Sequence, residues 1–230
     1  MSDRVLLITG ASSGIGAATA RAAAEAGWRL VLAARSEARL EELVHELGGP
    51  DRALAVRCDV TSWPDQQAMA EAALRRFGRI DAAFANAGIG GSPGGFTGAD
   101  PEHWRAMILT NVWGVALTAR AALPHLVDST GHLVLMGSVA GRVTIDGSLY
   151  SATKWAVTGM AQAIRAEVHR TGVRVTVIQP GKVVTPFFEG DPPPDCLETD
   201  DVVGAVRYAV SQPTSVDVNE IVLRSIDQHR

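Results

Sequence analysis

Val5-Leu6-Leu7-Ile8-Thr9-Gly10-Ala11-Ser12-Ser13-Gly14-Ile15-Gly16 decides how this chain folds. An apolar run at residues 4–9 ends in a glycine-rich turn, and an Ala-rich stretch at 15–26 follows with helical spacing. The segment reads as strand, tight turn and helix. The same alternation continues along the chain. Apolar runs at 29–34, 53–58, 80–84, 133–136, 174–178 and 220–223 are separated by helical patterns at 37–47, 66–77, 101–126, 151–170 and 201–211. Strands that are apolar throughout need cover on both faces, which is the mark of a parallel sheet between helical layers. Right-handed crossovers then give a three-layer, doubly wound α/β domain of about seven strands. The Gly/Pro-rich pieces at 90–95 and 190–194 are too short for domain linkers and read as loops, so a single domain spans residues 1–230.

Composition excludes several function classes. The formal net charge is −4, with 20% charged and 47% hydrophobic residues, so nothing marks nucleic acid as a partner. No apolar run approaches the roughly 20 residues that span a bilayer, so no membrane is expected. The run after Arg4 is too short for a signal-peptide core, and the expected location is cytoplasmic. Cys58 and Cys196 read as reduced thiols, and the six histidines show no metal-ligand spacing.

The turn at Gly10, Ser12, Ser13, Gly14, Ile15 and Gly16 has the spacing G-x-x-x-G-x-G. Glycines let backbone approach a pyrophosphate, and the following helix offers free N–H groups and the positive end of its dipole. A glycine-rich turn that binds nothing is the plainer alternative. In dinucleotide sites an acidic residue at the end of the second strand takes the ribose 2′-hydroxyl of NAD. Here that segment is Leu32-Ala33-Ala34-Arg35-Ser36, with no carboxylate and a guanidinium instead. An arginine fork suits a 2′-phosphate, so the expected cofactor is NADP(H).

Tyr150 and Lys154, in Tyr150-Ser151-Ala152-Thr153-Lys154, fall one turn apart on one helix face. A free phenol has a pKa near 10, and a neighbouring ammonium is expected to lower it toward the working range of an acid/base. Ser138, at a strand end, can hydrogen-bond the same substrate oxygen. Taken singly, Y-x-x-x-K is a common helix surface pair.

Together these residues resemble the short-chain dehydrogenase/reductase family, in its short single-domain branch with a Rossmann fold, over nearly the whole chain. The resemblance implies an oxidoreductase that moves a hydride between NADP(H) and a carbonyl or alcohol. It implies that Ser138, Tyr150 and Lys154 form the catalytic trio, with Lys154 also binding the nicotinamide ribose. Asn111 matches an asparagine in a proton relay. Asp59, followed by Val60, matches the residue at the adenine ring. Asn86-Ala87-Gly88 matches the motif that steadies the sheet and borders the cofactor, and Pro180-Gly181 with Val183 and Thr185 matches the segment touching the nicotinamide. The family's substrate loop falls at 185–199, where Pro186, Phe187 and Phe188 precede Gly190-Asp191-Pro192-Pro193-Pro194. It suggests an apolar small-molecule substrate, with Val139, Ala140, Ile145 and Leu149 as an opposite wall. Relatives associate as tetramers or dimers through the helices at 101–126 and 151–170, and Trp104, Trp113 and Trp155 on helical stretches read as packing or subunit contacts. Two rivals remain on sequence alone. A non-catalytic NADP(H) sensor would not need the trio, and a methyltransferase would keep an acidic residue where Ala34 stands.

Overall fold

Val5, Leu6, Leu7 and Ile8 are all buried, yet they face two different cores. Val5 and Leu7 pack into one, Leu6 and Ile8 into the other, because successive side chains of a strand point to opposite faces. The computed structural model describes residues 4–187 and 194–228. Phe188, Gly190, Asp191, Pro192 and Pro193 of the expected substrate loop lie outside the described residues.

The elements run β1 (Val5–Thr9), α1 (Gly14–Glu25), β2 (Arg29–Ala34), α2 (Glu37–Glu46), β3 (Ala53–Arg57), α3 (Trp63–Phe77) and β4 (Ala82–Ala85). Then come a one-turn α4 (Gly95–Gly98), α5 (Pro101–Ile108), a π-helical segment (Leu109–Gly114), α6 (Val115–Ser129) and β5 (His132–Met136). A 3-10 turn (Val139–Gly141), α7 (Leu149–Glu167), β6 (Arg174–Pro180), α8 (Thr199–Ser211) and β7 (Glu220–Leu223) complete the described chain. The 7-stranded sheet has the order β3-β2-β1-β4-β5-β6-β7, and every pairing is parallel. This is the three-layer doubly wound Rossmann fold. Helices α3, α6 and α7 cover one face with Met69, Leu126 and Val157. Helices α1, α2 and α8 cover the other with Ala20, Leu40 and Val206.

Local signals place the element ends. The Ser62 hydroxyl accepts from the backbone N–H of Asp65 to start α3, with Pro64 in the first turn. Gly78 ends that helix at φ 78°, a left-handed conformation that glycine adopts at little cost. Glu198 and Asp201 form a reciprocal capping box on α8.

One sequence expectation needs refinement. The pattern at 101–126 is not one uniform helix: it is α-helical, then π-helical at Leu109–Gly114, then α-helical again to Ser129. Taken together, Pro101–Ser129 is a 29-residue helix whose most apolar 18-residue window has a mean hydropathy of 1.4, enough to cross a membrane by length and composition alone. Half of that window is buried inside the domain. Ala119, Ala122 and Leu126 give the physical reason, since they pack into the core beneath the sheet and so must be apolar.

Order reverses at β1, which has β2 on one side and β4 on the other. Crossovers leave in opposite directions there and open a crevice at the strands' C-terminal ends, where doubly wound sheets bind ligands.

Candidate active site

Thr9 closes β1 and begins the site. Its hydroxyl accepts from the backbone N–H groups of Asn86 and Ala87, at 3.1 and 3.3 Å. The Asn86 amide returns bonds to the carbonyls of Thr9 and Gly10, at 3.0 and 3.3 Å. The ends of β1 and β4 are stapled together, and the glycine turn is held above them. Gly10 has φ 66°, and a Cβ there would lie 2.9 Å from Ala87 Cα. Gly16 is tighter: a Cβ would lie 2.3 Å from the Gly10 carbonyl oxygen. Only glycine permits this approach, which lets the first turn of α1 close on the loop. Ser13 caps α1 by position, but its side chain accepts no hydrogen bond from the helix.

A cavity of about 440 Å³ opens over this turn and runs across the strand ends. At one end it meets Gly10, Ser12, Ser13, Gly14 and Ile15, with Arg35 beyond them and Asp59 and Val60 beside. Asn86, Ala87 and Gly88 form its middle. At the other end are Ser138, Tyr150 and Lys154, with Pro180, Val183 and Thr185 as a wall. Residues spread over the sequence from 10 to 185 therefore meet in one crevice.

Three expected contacts stand behind the wall instead of on it. Gly16 is a packing glycine. Gly181 is backed by the side chain of Gln228, which occupies the space a Cβ would take. Asn111 is fully buried in the π-helical segment. Its amide accepts from Ile89 N–H and donates to the Ile89 carbonyl, both at 2.9 Å, and donates to Thr153 Oγ1 at 3.3 Å. It clamps the chain after β4 to the helix. A Cβ on Gly88 would lie 3.3 Å from Asn111 Oδ1 and 3.9 Å from Lys154 Nζ, so both side chains flank one point. Asp59 lines the cavity while its carboxylate accepts from Thr61 N and Oγ1, at 2.9 and 2.8 Å. It caps its own turn and faces the crevice at once.

Sequence reasoning missed Ser36, Arg39, Ile89 and Thr110 on the cavity wall. Arg39 had a usable signal: it falls in the first turn of α2 (Glu37–Glu46), just after the strand end that carries Arg35. Ile89 and Thr110 had none, because nothing local announces a loop's inward side chain. Val139, Ala140, Ile145 and Leu149 do not line this cavity. The chain turns away after Ser138, and Val139 and Ala140 are buried in the 3-10 turn against α7. The apolar surface near Tyr150 is Phe187, whose ring meets the Tyr150 ring edge-on at 5.8 Å between centroids.

Electrostatics at the trio depart from the simple pair. Burial pushes the Tyr150 phenol up to about 12, and a hydrogen bond with the Ser138 hydroxyl pulls only partway back. Burial also pulls Lys154 down to about 8. Lys154 Nζ donates to the Met136 carbonyl at 2.9 Å. Burial is the largest influence on the phenol and raises it.

A glycine-cradled helix N-terminus at a topological switch point, a crevice across it, and a Ser/Tyr/Lys trio at one end define a class of nucleotide-dependent oxidoreductase. The chain belongs to the short-chain dehydrogenase/reductase family, whose short chain dehydrogenase model matches residues 4–193. It is 38% identical over 228 residues to an uncharacterized oxidoreductase of Staphylococcus epidermidis, covering 97% of this chain and 98% of that one. An uncharacterized oxidoreductase of Staphylococcus saprophyticus is 38% identical over 233 residues, covering 98% and 99%. Among solved structures, an alcohol dehydrogenase from the archaeon Thermococcus sibiricus complexed with 5-hydroxy-NADP matches with TM-score 0.91 and 34% identity, covering 100% of this chain and 99% of that one. Serine dehydrogenase from Escherichia coli matches with TM-score 0.89 and 30% identity, covering 98% and 100%.

Proposed function

We propose that this chain interconverts a carbonyl compound and an alcohol with NADP(H), using Tyr150 as general acid/base. The observation that carries the reading is one crevice with Arg35 and Arg39 at one end and Ser138, Tyr150 and Lys154 at the other.

The residues fit the dinucleotide. The glycine turn is a cradle that side chains would fill, and the N-terminus of α1 above it has N–H groups for a pyrophosphate. Arg35 and Arg39 would hold a 2′-phosphate, and Ala34 leaves no carboxylate to repel it. The bound cofactor supplies or accepts the hydride. Everything else falls to the chain. The Ser138 hydroxyl polarises the substrate oxygen. Tyr150 Oη gives its proton to that oxygen in reduction and takes one from the alcohol in oxidation. A phenol held near 12 is protonated at neutral pH, which suits the donating direction. The Lys154 ammonium, 5.6 Å from the ring centroid, offsets the phenolate's charge once the proton has left. Asn111 keeps Ile89 and the loop beyond it in place, and Phe187 offers apolar surface, which favours an apolar ketone, aldehyde or secondary alcohol.

Loss of NADPH absorbance with a panel of ketones and aldehydes tests the reading. Tyr150→Phe should lower kcat by roughly 10²–10⁴-fold while leaving NADPH binding intact. Unchanged turnover in that variant would refute the acid/base assignment. Tight NADPH binding with no turnover of any substrate would favour a sensor.

A further inference from the structure

We propose that Gln228 is a positioning residue that sets the wall of the crevice beside Tyr150, and that Gly181 is glycine to admit it. The inference rests on the dinucleotide reading above, but its core is geometric. After β7 the chain turns back, with Gln228 N–H donating to the Ser225 carbonyl at 3.1 Å. The adjoining Ile226 is 98% exposed, yet Gln228 is only 8% exposed. Its Oε1 accepts from Lys182 N–H at 3.0 Å. A Cβ on Gly181 would sit 2.0 Å from that same oxygen. Gly181 has no positive φ, so conformation does not demand glycine there. The Gln228 amide fills the space instead, and an added methyl would displace it.

Lys182 is the hub of this corner. Its backbone oxygen accepts from Leu197 N–H at 2.8 Å. Its Nζ pairs with both Asp195 oxygens, at 3.0 and 2.8 Å. Val183 bridges Leu197, and Val184 N–H donates to the Leu197 carbonyl. The neck of the substrate loop is thus tied on one side, and Gln228 holds it from beneath. Pro180, Val183 and Thr185, on the inner side of the same segment, line the crevice at the end that holds Tyr150. Loss of the Gln228 bond frees the Lys182 amide and lets this wall relax. At its outer end the segment comes up against the glycine turn, where a Cβ on Gly14 would lie 3.3 Å from Thr185 Cγ2, whereas Arg35 lies beyond that turn, at the end of the crevice away from Tyr150.

The test compares wild type, Gln228→Ala, Gly181→Ala and the double variant. Fluorescence titration gives the Kd for NADPH and for 2′,5′-ADP, which lacks the nicotinamide half. Hydrogen exchange reads the Lys182 amide in the ligand-free proteins. Gln228→Ala should weaken NADPH about five- to tenfold, the scale of one lost buried hydrogen bond, and leave 2′,5′-ADP unchanged. The Lys182 amide should lose its protection. Gly181→Ala pushes the flexible Gln228 amide out and should match Gln228→Ala. The double variant should be no worse than either single one, because the collision has been removed. Equal weakening of both ligands, additive effects, or unchanged Lys182 exchange would each overturn the proposal. A wild-type protein that binds neither ligand would refute the dinucleotide reading instead, and the exchange of Lys182 would still decide whether Gln228 holds the loop.

Discussion

Lys154 Nζ is anchored to the Met136 carbonyl at 2.9 Å, and its distance to the Tyr150 ring centroid is 5.6 Å. The two residues share a face of α7, but the lysine's hydrogen bond goes to the sheet. The phenol and the ammonium therefore respond to burial separately, each shifted toward its neutral form.

That separation has a sign in a pH titration of stability. The folded-state pKa of Lys154 is about 8, against 10.5 for the free group. Between those values the unfolded chain binds the extra proton, so stability contributed at this site rises with pH. Below pH 8 the cost of burying the ammonium is present in full. Wild type should gain stability relative to Lys154→Met between pH 8 and 10, read by urea unfolding. A difference that stays flat across this window would show that burial does not govern the lysine.

Arg35 and Arg39 should divide the work of cofactor choice. Arg35→Ala is expected to weaken NADPH about 10- to 100-fold, since charge-assisted hydrogen bonds contribute about 1.5–3 kcal/mol each. NADH binding should hardly move. Arg39→Ala should act in the same direction, and Arg35→Asp should invert the preference. Calorimetric titration with both cofactors measures this, and equal losses for NADH and NADPH would remove the 2′-phosphate from the account.

The first turn of α1 leaves no room above Gly10. In Gly16→Ala the new methyl must push the Gly10 carbonyl, which is backbone and cannot rotate aside. Overpacking of this kind costs about 1–3 kcal/mol, or a fall in Tm of roughly 2–10 °C for a domain of this size. Calorimetry reads the fall, and a wild-type Tm would mean that the turn is looser than its geometry implies.

Two tryptophans stand on the outer faces of the π-helical segment and α7. Trp113 is 49% exposed and Trp155 48% exposed, a large apolar area to leave in water. We propose that these faces meet in a homo-oligomer. Trp155→Glu should shift sedimentation toward monomer, and a wild type that sediments as monomer at micromolar concentration would refute the assembly.

The sheet was legible because each strand needs apolar residues throughout and each turn carries glycine or a cap. Strand β1, the glycine turn and the Tyr150/Lys154 spacing are local signals, and the structure brings them to one crevice. What the sequence concealed depends on neighbours distant along the chain. The π-helical segment around Asn111 leaves no local mark, because an i→i+5 bond shifts register without changing the residue pattern. The burial that raises Tyr150 and lowers Lys154 needs the folded domain, in which Lys154 Nζ meets the Met136 carbonyl of β5. The partnership of Gly181 and Gln228 joins residues 181 and 228 across the whole of α8 and β7.

The position of β1 at the middle of the sheet has a cost during synthesis. Val5–Thr9 emerges first and finds β2 soon after, but its other edge pairs only with Ala82–Ala85. Until that later strand leaves the ribosome, an edge that is apolar except for Thr9 has nothing to pair with. The growing chain is open to aggregation in this interval, so slowing its elongation between β2 and β4 should lower recovery.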